Sequence, residues 1–397
     1  MSTNKNKQNT KKRRNSDIDN TNSENKGRKN TSNKKQSKNK SLLSLFFISL
    51  LLFAAGIALP LVLKADLINK YYTNGIFKLV RVALGAVSSL LGFSITEVAA
   101  VLLATAILVI LIIFIIKIFA KTIRLKSVIS FIVIILFIAS LILNVYNLTF
   151  GLNYRSTTLA QKLDLDVKDY SVIELNALCV SLREEANELR KYVSEDSNGV
   201  FTIDDVNSVL YRVSQDTKAS SINTDKRRIY KPKPAGCSQV MSYMGITGIY
   251  MPFFAEATIN QDQPDLLIAS TAAHECAHSI GIAREDEANL ASYIICTESD
   301  DYSIKYSGTI NALMYCSSQL FYKDNYLYYE LLKGYDQSVR KDINNHLEYW
   351  DEYDTFVKDV VSNTNDSYLK YNGSKNGKNS YYDVVGLLIA YRQKNGI

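Results

Sequence analysis

The stretch STAAHECAHSIGIAREDEAN, residues 270–289, is the part of the sequence that decides both fold and function. It contains the pattern HExxH as His274, Glu275 and His278. In an α-helix, residues four apart lie on the same face, so both imidazoles can bind one metal ion. The pattern is typical of zinc sites in which the glutamate after the first histidine acts as general base. We therefore predict zinc ligands at His274 and His278 and a catalytic base at Glu275.

The alternative interpretation is a chance match, with two surface histidines on an ordinary helix. Three features of the sequence disfavour it. The chain holds only three histidines, and His346 is the only one outside the motif. Small apolar residues surround the motif, as a buried metal-binding helix requires, and the acidic cluster EDEAN follows closely at 285–289.

The third zinc ligand is expected in this acidic cluster, because catalytic zinc sites usually have three protein ligands and one open position. HExxH followed by E-x-x-A-N resembles the gluzincin metallopeptidases, with CAAX-prenyl-protease-like and phage-repressor-cleaving peptidases as relatives by motif. The resemblance implies that Glu285 is the third ligand, with Glu287 as the alternative. It also implies that Asn289 holds one of the ligand histidines by a hydrogen bond.

Residues 239–259 are rich in aromatic and β-branched side chains and are interrupted by Gly-Ile-Thr-Gly at 245–248, which predicts a hairpin. Pro252 in its second half indicates an edge strand, because proline cannot donate to the ladder. In peptidases resembling this chain, such a strand pairs with an extended substrate. The substrate-binding residues would then be Ile249, Tyr250, Phe253 and Phe254; an ordinary protected edge strand is the alternative.

Three uncharged apolar runs, at residues 42–63, 98–116 and 127–150, are long enough to predict transmembrane helices. The polar residues 1–41 predict a disordered tail. The formal net charge of +7 comes from this tail, since the first forty residues hold 13 Lys/Arg and three acids. The remaining residues therefore sum to −3, which argues against nucleic-acid binding by the folded part.

The distribution of charge predicts the membrane topology. The basic tail and the basic loop 117–126 both belong in the cytoplasm by the positive-inside rule. An even number of crossings must separate them, so residues 75–96, within the extracytoplasmic loop 64–97, are expected to lie on the surface as an amphipathic segment. Residues 151–397 then form an extracytoplasmic domain.

The whole chain also resembles an uncharacterised bacterial family with N-terminal spans and an extracytoplasmic HExxH domain. That resemblance covers most of residues 60–397 and rests on three features of the sequence. They are the segment GITGIYMPFFAEATIN, the pair HExxH and EDEAN, and a tyrosine-rich C-terminal helical region.

The expected fold is therefore a membrane-anchored, mainly α-helical protein with three transmembrane helices. Its zincin-like α+β domain should carry a small hairpin or sheet beside the HExxH helix. We expect a zinc metallopeptidase in the bacterial cell membrane that binds one Zn²⁺ per chain and hydrolyses a cell-surface peptide or protein. A non-catalytic zinc-binding sensor and a structural membrane protein are the alternatives. The group that stabilises the oxyanion stays open among Tyr306, Tyr381, Tyr382 and Arg284.

Overall fold

The computed structural model describes residues 40–225, 227–377 and 383–397, so nearly all of the predicted tail 1–41 lies outside the described residues. The described chain is mainly helical. Its α-helices are α1 Lys40–Val62, α2 Ala65–Leu67, α3 Lys78–Ser88, α4 Ile95–Phe119, α5 Leu125–Thr149, α6 Leu159–Lys162, α7 Val172–Leu189, α8 Val206–Ala219, α9 Ser238–Tyr243, α10 Ile268–Ser279, α11 Glu285–Glu298, α12 Tyr302–Lys323, α13 Asn325–Lys333, α14 Gln337–Glu352, α15 Phe356–Tyr371 and α16 Val384–Asn395. A π-helix occupies Ile68–Phe77, and 3₁₀ turns occupy Gly151–Arg155, Arg190–Tyr192 and Asp265–Leu267.

Helices α1, α4 and α5 are long and apolar enough to cross a membrane, and they identify a membrane protein. They correspond to the three predicted spans, although each boundary shifts by one to three residues. The largest shift is at α4, which begins at Ile95 rather than at residue 98. The connection between α4 and α5 is only residues 120–124 and contains Lys121 and Arg124.

The described residues divide into two compact units, one drawn from 1–59 and 113–144 and the other from 60–112 and 145–397. In the first unit, α1 and α5 pack closely. The side-chain amide of Asn144 donates to the carbonyl of Leu52 at 2.9 Å. Gly56 faces Leu143 so closely that an added Cβ atom would lie 2.8 Å from Cδ2 of that side chain. A glycine here therefore sets the distance between the two helices.

The second unit contains a three-stranded sheet in the order β1-β3-β2, with β1 Lys233–Pro234, β2 Gly248–Met251 and β3 Glu256–Ile259. Strand β1 is parallel to β3, whereas β2 and β3 form an antiparallel hairpin. The predicted hairpin is present, but the predicted position of its turn, at 245–248, is wrong. The turn lies at 252–255, so Pro252 is in the turn instead of the second strand, and residues 238–243 form helix α9.

Helix α10, which carries HExxH, lies in the core of the second unit and packs against α8, α11, α12, β2 and β3. Its buried face is made largely of small side chains, which let five neighbouring elements approach it. The fully buried small side chains are Ala269, Ser270, Ala272, Ala273 and Ala277. Gly281, with φ +96°, turns the chain after α10 in the left-handed region that glycine adopts at helix ends. The chain then enters α11, which begins at Glu285 beside the histidines.

Candidate metal centre

Three potential metal ligands converge where α10 meets the start of α11. One donor atom from each of His274, His278 and Glu285 lies within 4.8 Å of the other two. Oε2 of Glu285 is 3.2 Å from Nε2 of His274 and 3.7 Å from Nε2 of His278. The two imidazoles are perpendicular, with ring centroids 4.7 Å apart. The group is also largely buried, because His278 and Glu285 are each less than a tenth exposed.

The outer nitrogens of both imidazoles are held by oxygen atoms. Nδ1 of His278 lies 2.8 Å from the carbonyl oxygen of Ile282, and Nδ1 of His274 lies 2.8 Å from Oδ1 of Asn289. An oxygen acceptor at Nδ1 places the proton of a neutral imidazole on Nδ1 and leaves a lone pair on Nε2. Two lone pairs and a carboxylate oxygen then face one another, and only a shared proton or a cation can satisfy all three.

The carboxylate and the imidazoles of this cluster interact strongly with one another. Burial alone would raise the pKa of Glu285, but the neighbouring His278 and His274 lower it well below its usual range. Burial alone would lower the pKa of His278, but the Glu285 carboxylate raises it to about 9. The protein therefore holds a negative carboxylate against the two imidazoles. The donor set of two nitrogens and one oxygen fits zinc, which accepts both atom types in catalytic sites.

The other candidate carboxylate, Glu287, lies elsewhere. Its Oε1 is 3.3 Å from Nη1 of Arg284, and it is not one of the three converging ligands. Burial raises the pKa of Glu287 to about 7, with Arg284 opposing the rise. Arg284 also donates to the carbonyl of Tyr154 at 3.0 Å. The geometry therefore favours Glu285 over Glu287 as the third ligand and gives Arg284 a role in fixing the start of α11.

The Asn289 contact yields a quantitative expectation. We expect Asn289→Ala to weaken the zinc binding predicted from the sequence by roughly 10- to 100-fold, which is typical for the loss of a group that orients a ligand histidine. Competition with a fluorescent zinc chelator measures the affinity. Asn289→Asp, which retains an acceptor oxygen for Nδ1 of His274, is the control and should bind zinc nearly as the parent does. Equal weakening in both variants would contradict the orienting role.

Glu275 is buried beside the two histidines, and this burial raises the pKa of its carboxyl group. Strand β2 passes directly over it. A Cβ atom added at Gly248 would lie 2.7 Å from Cγ2 of Thr271 and 3.0 Å from Oε1 of Glu275. The sequence places Gly248 in the break of a hairpin. In the structure, the absence of a side chain at Gly248 allows β2 to lie close to Glu275 on α10.

We expect Gly248→Ala to displace Glu275. For the peptidase predicted from the sequence, turnover should then fall roughly 100-fold, the cost of misplacing a reacting group by about 1 Å. Zinc affinity should change little, because the added methyl group faces Glu275 and Thr271. Parallel measurements of kcat and zinc affinity check this. Gly75→Ala is the matched control, since a Cβ atom there would meet nothing within 4 Å. Unchanged turnover in Gly248→Ala would show that the strand does not position Glu275.

The predicted substrate-binding residues fall into two groups. Strand β2 is an edge strand, and it contains Ile249 and Tyr250. Tyr250, however, is buried and packs its ring 5.5 Å from Phe150 and 6.4 Å from His278. Phe253 and Phe254 lie in the turn beyond the strand, so they do not belong to the edge. The edge of β2 that could pair with an extended substrate is therefore shorter than predicted. Tyr250 instead packs beside His278.

Of the four candidates for an oxyanion stabiliser, the structure describes Tyr306 and Arg284, and both contact other partners. Tyr306 is fully buried and donates to Asp342 at 2.7 Å, in a network with Arg190. Arg284 pairs with Glu287 as described above. Tyr381 and Tyr382 lie outside the described residues. The described contacts of Tyr306 and Arg284 are therefore with Asp342, with Glu287 and with the carbonyls of Tyr154 and Ser156.

Two tyrosines that the sequence analysis missed do lie within electrostatic range of Glu285. Burial is the main cause that raises the pKa of Tyr154 and Tyr368, and the Glu285 carboxylate adds to both shifts. The Tyr154 hydroxyl donates to that of Tyr368 at 3.3 Å, and the Tyr146 hydroxyl lies 2.8 Å from Tyr368. These residues come from α5, the following turn and α15, and no local pattern in the sequence signals their meeting.

Comparison with known proteins gives one family. A family model described as "Protein of unknown function (DUF3810)" matches residues 72–389. That range begins inside the π-helix, includes α4, α5, the sheet and the metal cluster, and ends within α16. The searches of curated proteins and of solved structures returned no match.

Proposed function

The chain belongs to this family of unknown function, DUF3810, and from its own residues we propose that it is a membrane-bound zinc metallopeptidase. The observation that carries the proposal is the convergence of His274, His278 and Glu285 beside the buried carboxyl group of Glu275. Three ligands with an adjacent carboxylate make up the arrangement that metal-assisted hydrolysis requires. The proposed reaction is hydrolysis of a peptide bond in a substrate at the cell surface.

The roles of the residues follow from their positions. His274, His278 and Glu285 would hold the zinc, and Asn289 and the carbonyl of Ile282 orient the two imidazoles. Zinc in such a site supplies Lewis-acid chemistry, polarising a water molecule and the scissile carbonyl. Glu275 accepts the proton of the attacking water at its carboxylate and delivers it to the leaving amine. Burial raises the pKa of Glu275 and so strengthens it as a proton acceptor.

The proposal includes an orientation in the membrane. Lys117, Lys121, Arg124 and Lys126 lie at and between the adjoining ends of α4 and α5, without an acidic residue among them. Positive charge at this end is typical of the cytoplasmic side. The opposite ends of both helices then face outward, and the metal cluster lies outside the cytoplasm. We expect a reporter that is active only outside the cytoplasm to be active when fused after residue 397. Activity there of a reporter that works only in the cytoplasm would contradict this orientation.

The function is tested with the full-length chain in detergent or nanodiscs. A library of quenched fluorescent peptides is incubated with the protein before and after zinc removal by a chelator. We expect cleavage of at least one class of peptide, loss of that cleavage with the chelator and recovery on adding Zn²⁺. Stoichiometric zinc without any cleavage would instead favour the zinc-binding sensor. Protein that binds no zinc would exclude both the metallopeptidase and the sensor.

A further inference from the structure

The metal cluster is built directly onto the ends of two membrane spans. Phe150 is the first residue after α5, and its ring packs edge-on against His278 with centroids 5.9 Å apart. A 25-residue helix such as α5 rises about 37 Å, which exceeds a hydrocarbon core of about 30 Å. The last turn of α5 can therefore reach the headgroup region, and a ligand histidine touches the next residue.

The start of α4 is tied to the sheet beside the metal-binding helix. Glu256 on β3 is buried and accepts from the hydroxyl of Ser94 at 2.8 Å and from the backbone N–H of Thr96 at 2.9 Å. Lys233 on β1 pairs with the same carboxylate at 2.7 Å. A carboxylate at a helix N-terminus accepts hydrogen bonds from the free backbone N–H groups, and the positive end of the helix dipole stabilises its negative charge. The first turn of this span is thus fixed to the sheet that packs on α10.

Helix α3 and the turn after it expose apolar side chains outward. The inward face of α3 is polar, where Arg81 is buried and pairs with Asp225 at 2.6 Å. The outward face carries no charge, and Leu79, Val87 and Leu90 on it are each more than 60% exposed. A soluble domain would place these faces the other way round. Only Ser94 separates this segment from the first residue of α4, so an exposed apolar face directly precedes a candidate membrane span.

The segment that packs against the inward face of α3 carries exposed basic residues. Residues 227–231 pack against α3, with the hydroxyl of Tyr230 donating to the carbonyl of Val82 at 3.0 Å. In the same segment, Arg227, Arg228 and Lys231 are exposed. Basic side chains beside an apolar helix face are typical of helices that lie in the headgroup region of a membrane with anionic lipids.

The residue that precedes α3 also packs close to the candidate metal centre. Phe77, which directly precedes α3, is fully buried with its ring 6.3 Å from that of Phe150. An added Cβ atom at Gly281, just after α10, would lie 3.0 Å from Cε1 of Phe77. Two successive ring contacts, from Phe77 to Phe150 and from Phe150 to His278, therefore connect the start of α3 with the metal centre.

From these contacts we propose that the metal centre works at the membrane surface, on polypeptides anchored in or inserted into the same bilayer, with the scissile bond close to that surface. The docking surface is the outward face of α3 and the turn to Phe93, and its partner is the lipid headgroup and upper acyl region. The substrate class rests on the proposed peptidase function, whereas the docking surface does not.

Docking is tested by depth-dependent fluorescence quenching of the full-length chain in vesicles of phosphatidylcholine and phosphatidylglycerol. Trp350 is the only tryptophan, so Trp350→Phe gives a silent background. We expect Leu90→Trp in this background to lose several-fold more emission with brominated lipids than the control Tyr322→Trp, which is 77% exposed on α12. Equal quenching at both positions, or none at Leu90→Trp, would overturn the docking surface whatever the zinc content.

The substrate class is tested with a peptide that the library assay shows to be cleaved. It is joined to a palmitoyl anchor either directly or through a rigid 20-residue polyproline spacer, which extends about 60 Å. We expect cleavage of the directly anchored peptide to be roughly tenfold faster or more, because its scissile bond is concentrated at the site. Equal or faster cleavage beyond the spacer would overturn the surface location. If no library peptide is cleaved, the peptidase proposal and the substrate class fail, and the quenching result still decides the docking surface.

Discussion

Glu275→Gln is expected to slow peptide hydrolysis by roughly 10²- to 10⁴-fold while leaving zinc bound. The amide is nearly isosteric with the carboxyl group but cannot accept the proton of the attacking water. General-base catalysis contributes roughly 10²- to 10⁴-fold to a rate, so kcat should fall within that range. Zinc affinity should stay near that of the parent, because the three converging ligands His274, His278 and Glu285 remain.

The matched control is Glu287→Gln, which removes the charge of another buried glutamate in the same region. Burial raises the pKa of Glu287 to about 7. Replacing Glu287 by a neutral glutamine therefore changes its charge less than the same replacement changes that of an ordinary glutamate. Single-turnover rates with a cleaved library peptide and metal analysis of the same samples separate the two variants. Full activity in Glu275→Gln would disprove the base assignment even if the protein binds zinc.

The second large effect is expected at the third ligand. Glu285→Gln should reduce zinc affinity by more than the roughly 10- to 100-fold expected for an orienting residue, because it removes a direct ligand and the only carboxylate of the group. His274→Ala should do the same. Peptidase activity should fall in parallel and recover partly at high zinc concentration.

Glu287→Gln again provides the comparison, since Glu287 was the other candidate ligand. Its side chain contacts Arg284 at 3.3 Å and should have no direct part in zinc binding. Isothermal titration of the apo forms with Zn²⁺ gives both affinities. Strong zinc loss in Glu287→Gln with near-parent binding in Glu285→Gln would reverse the assignment.

How much the sequence could predict depended on how local each feature is. The spacing of His274 and His278 is a property of one helix, and the three spans are runs of apolar residues long enough to recognise directly. The cluster at 285–289 could be named, but the choice between Glu285 and Glu287 could not be made from the residues. That choice depends on the angle at which α11 meets α10 after Gly281.

Other features depend on contacts between distant segments. Gly248 looked like a turn residue, whereas the structure places it where β2 crosses Glu275. Phe150, Tyr154 and Tyr368 reach the site from the end of a span and from a late helix. Neither periodicity nor composition distinguishes them from core residues. The sequence predicts an amphipathic segment at residues 75–96. Which face of α3 is buried depends on the pairing of Arg81 with Asp225, which lies far along the chain.

The central claim is that hydrolysis depends on one zinc ion held by His274, His278 and Glu285. The most direct test is to titrate Zn²⁺ into the metal-free full-length protein while following cleavage of a library peptide. We predict that activity rises linearly from zero and reaches its plateau at one zinc per chain, with Glu285→Gln requiring far more zinc. Full activity without zinc, or one bound zinc per chain without any gain in activity, would contradict the proposal.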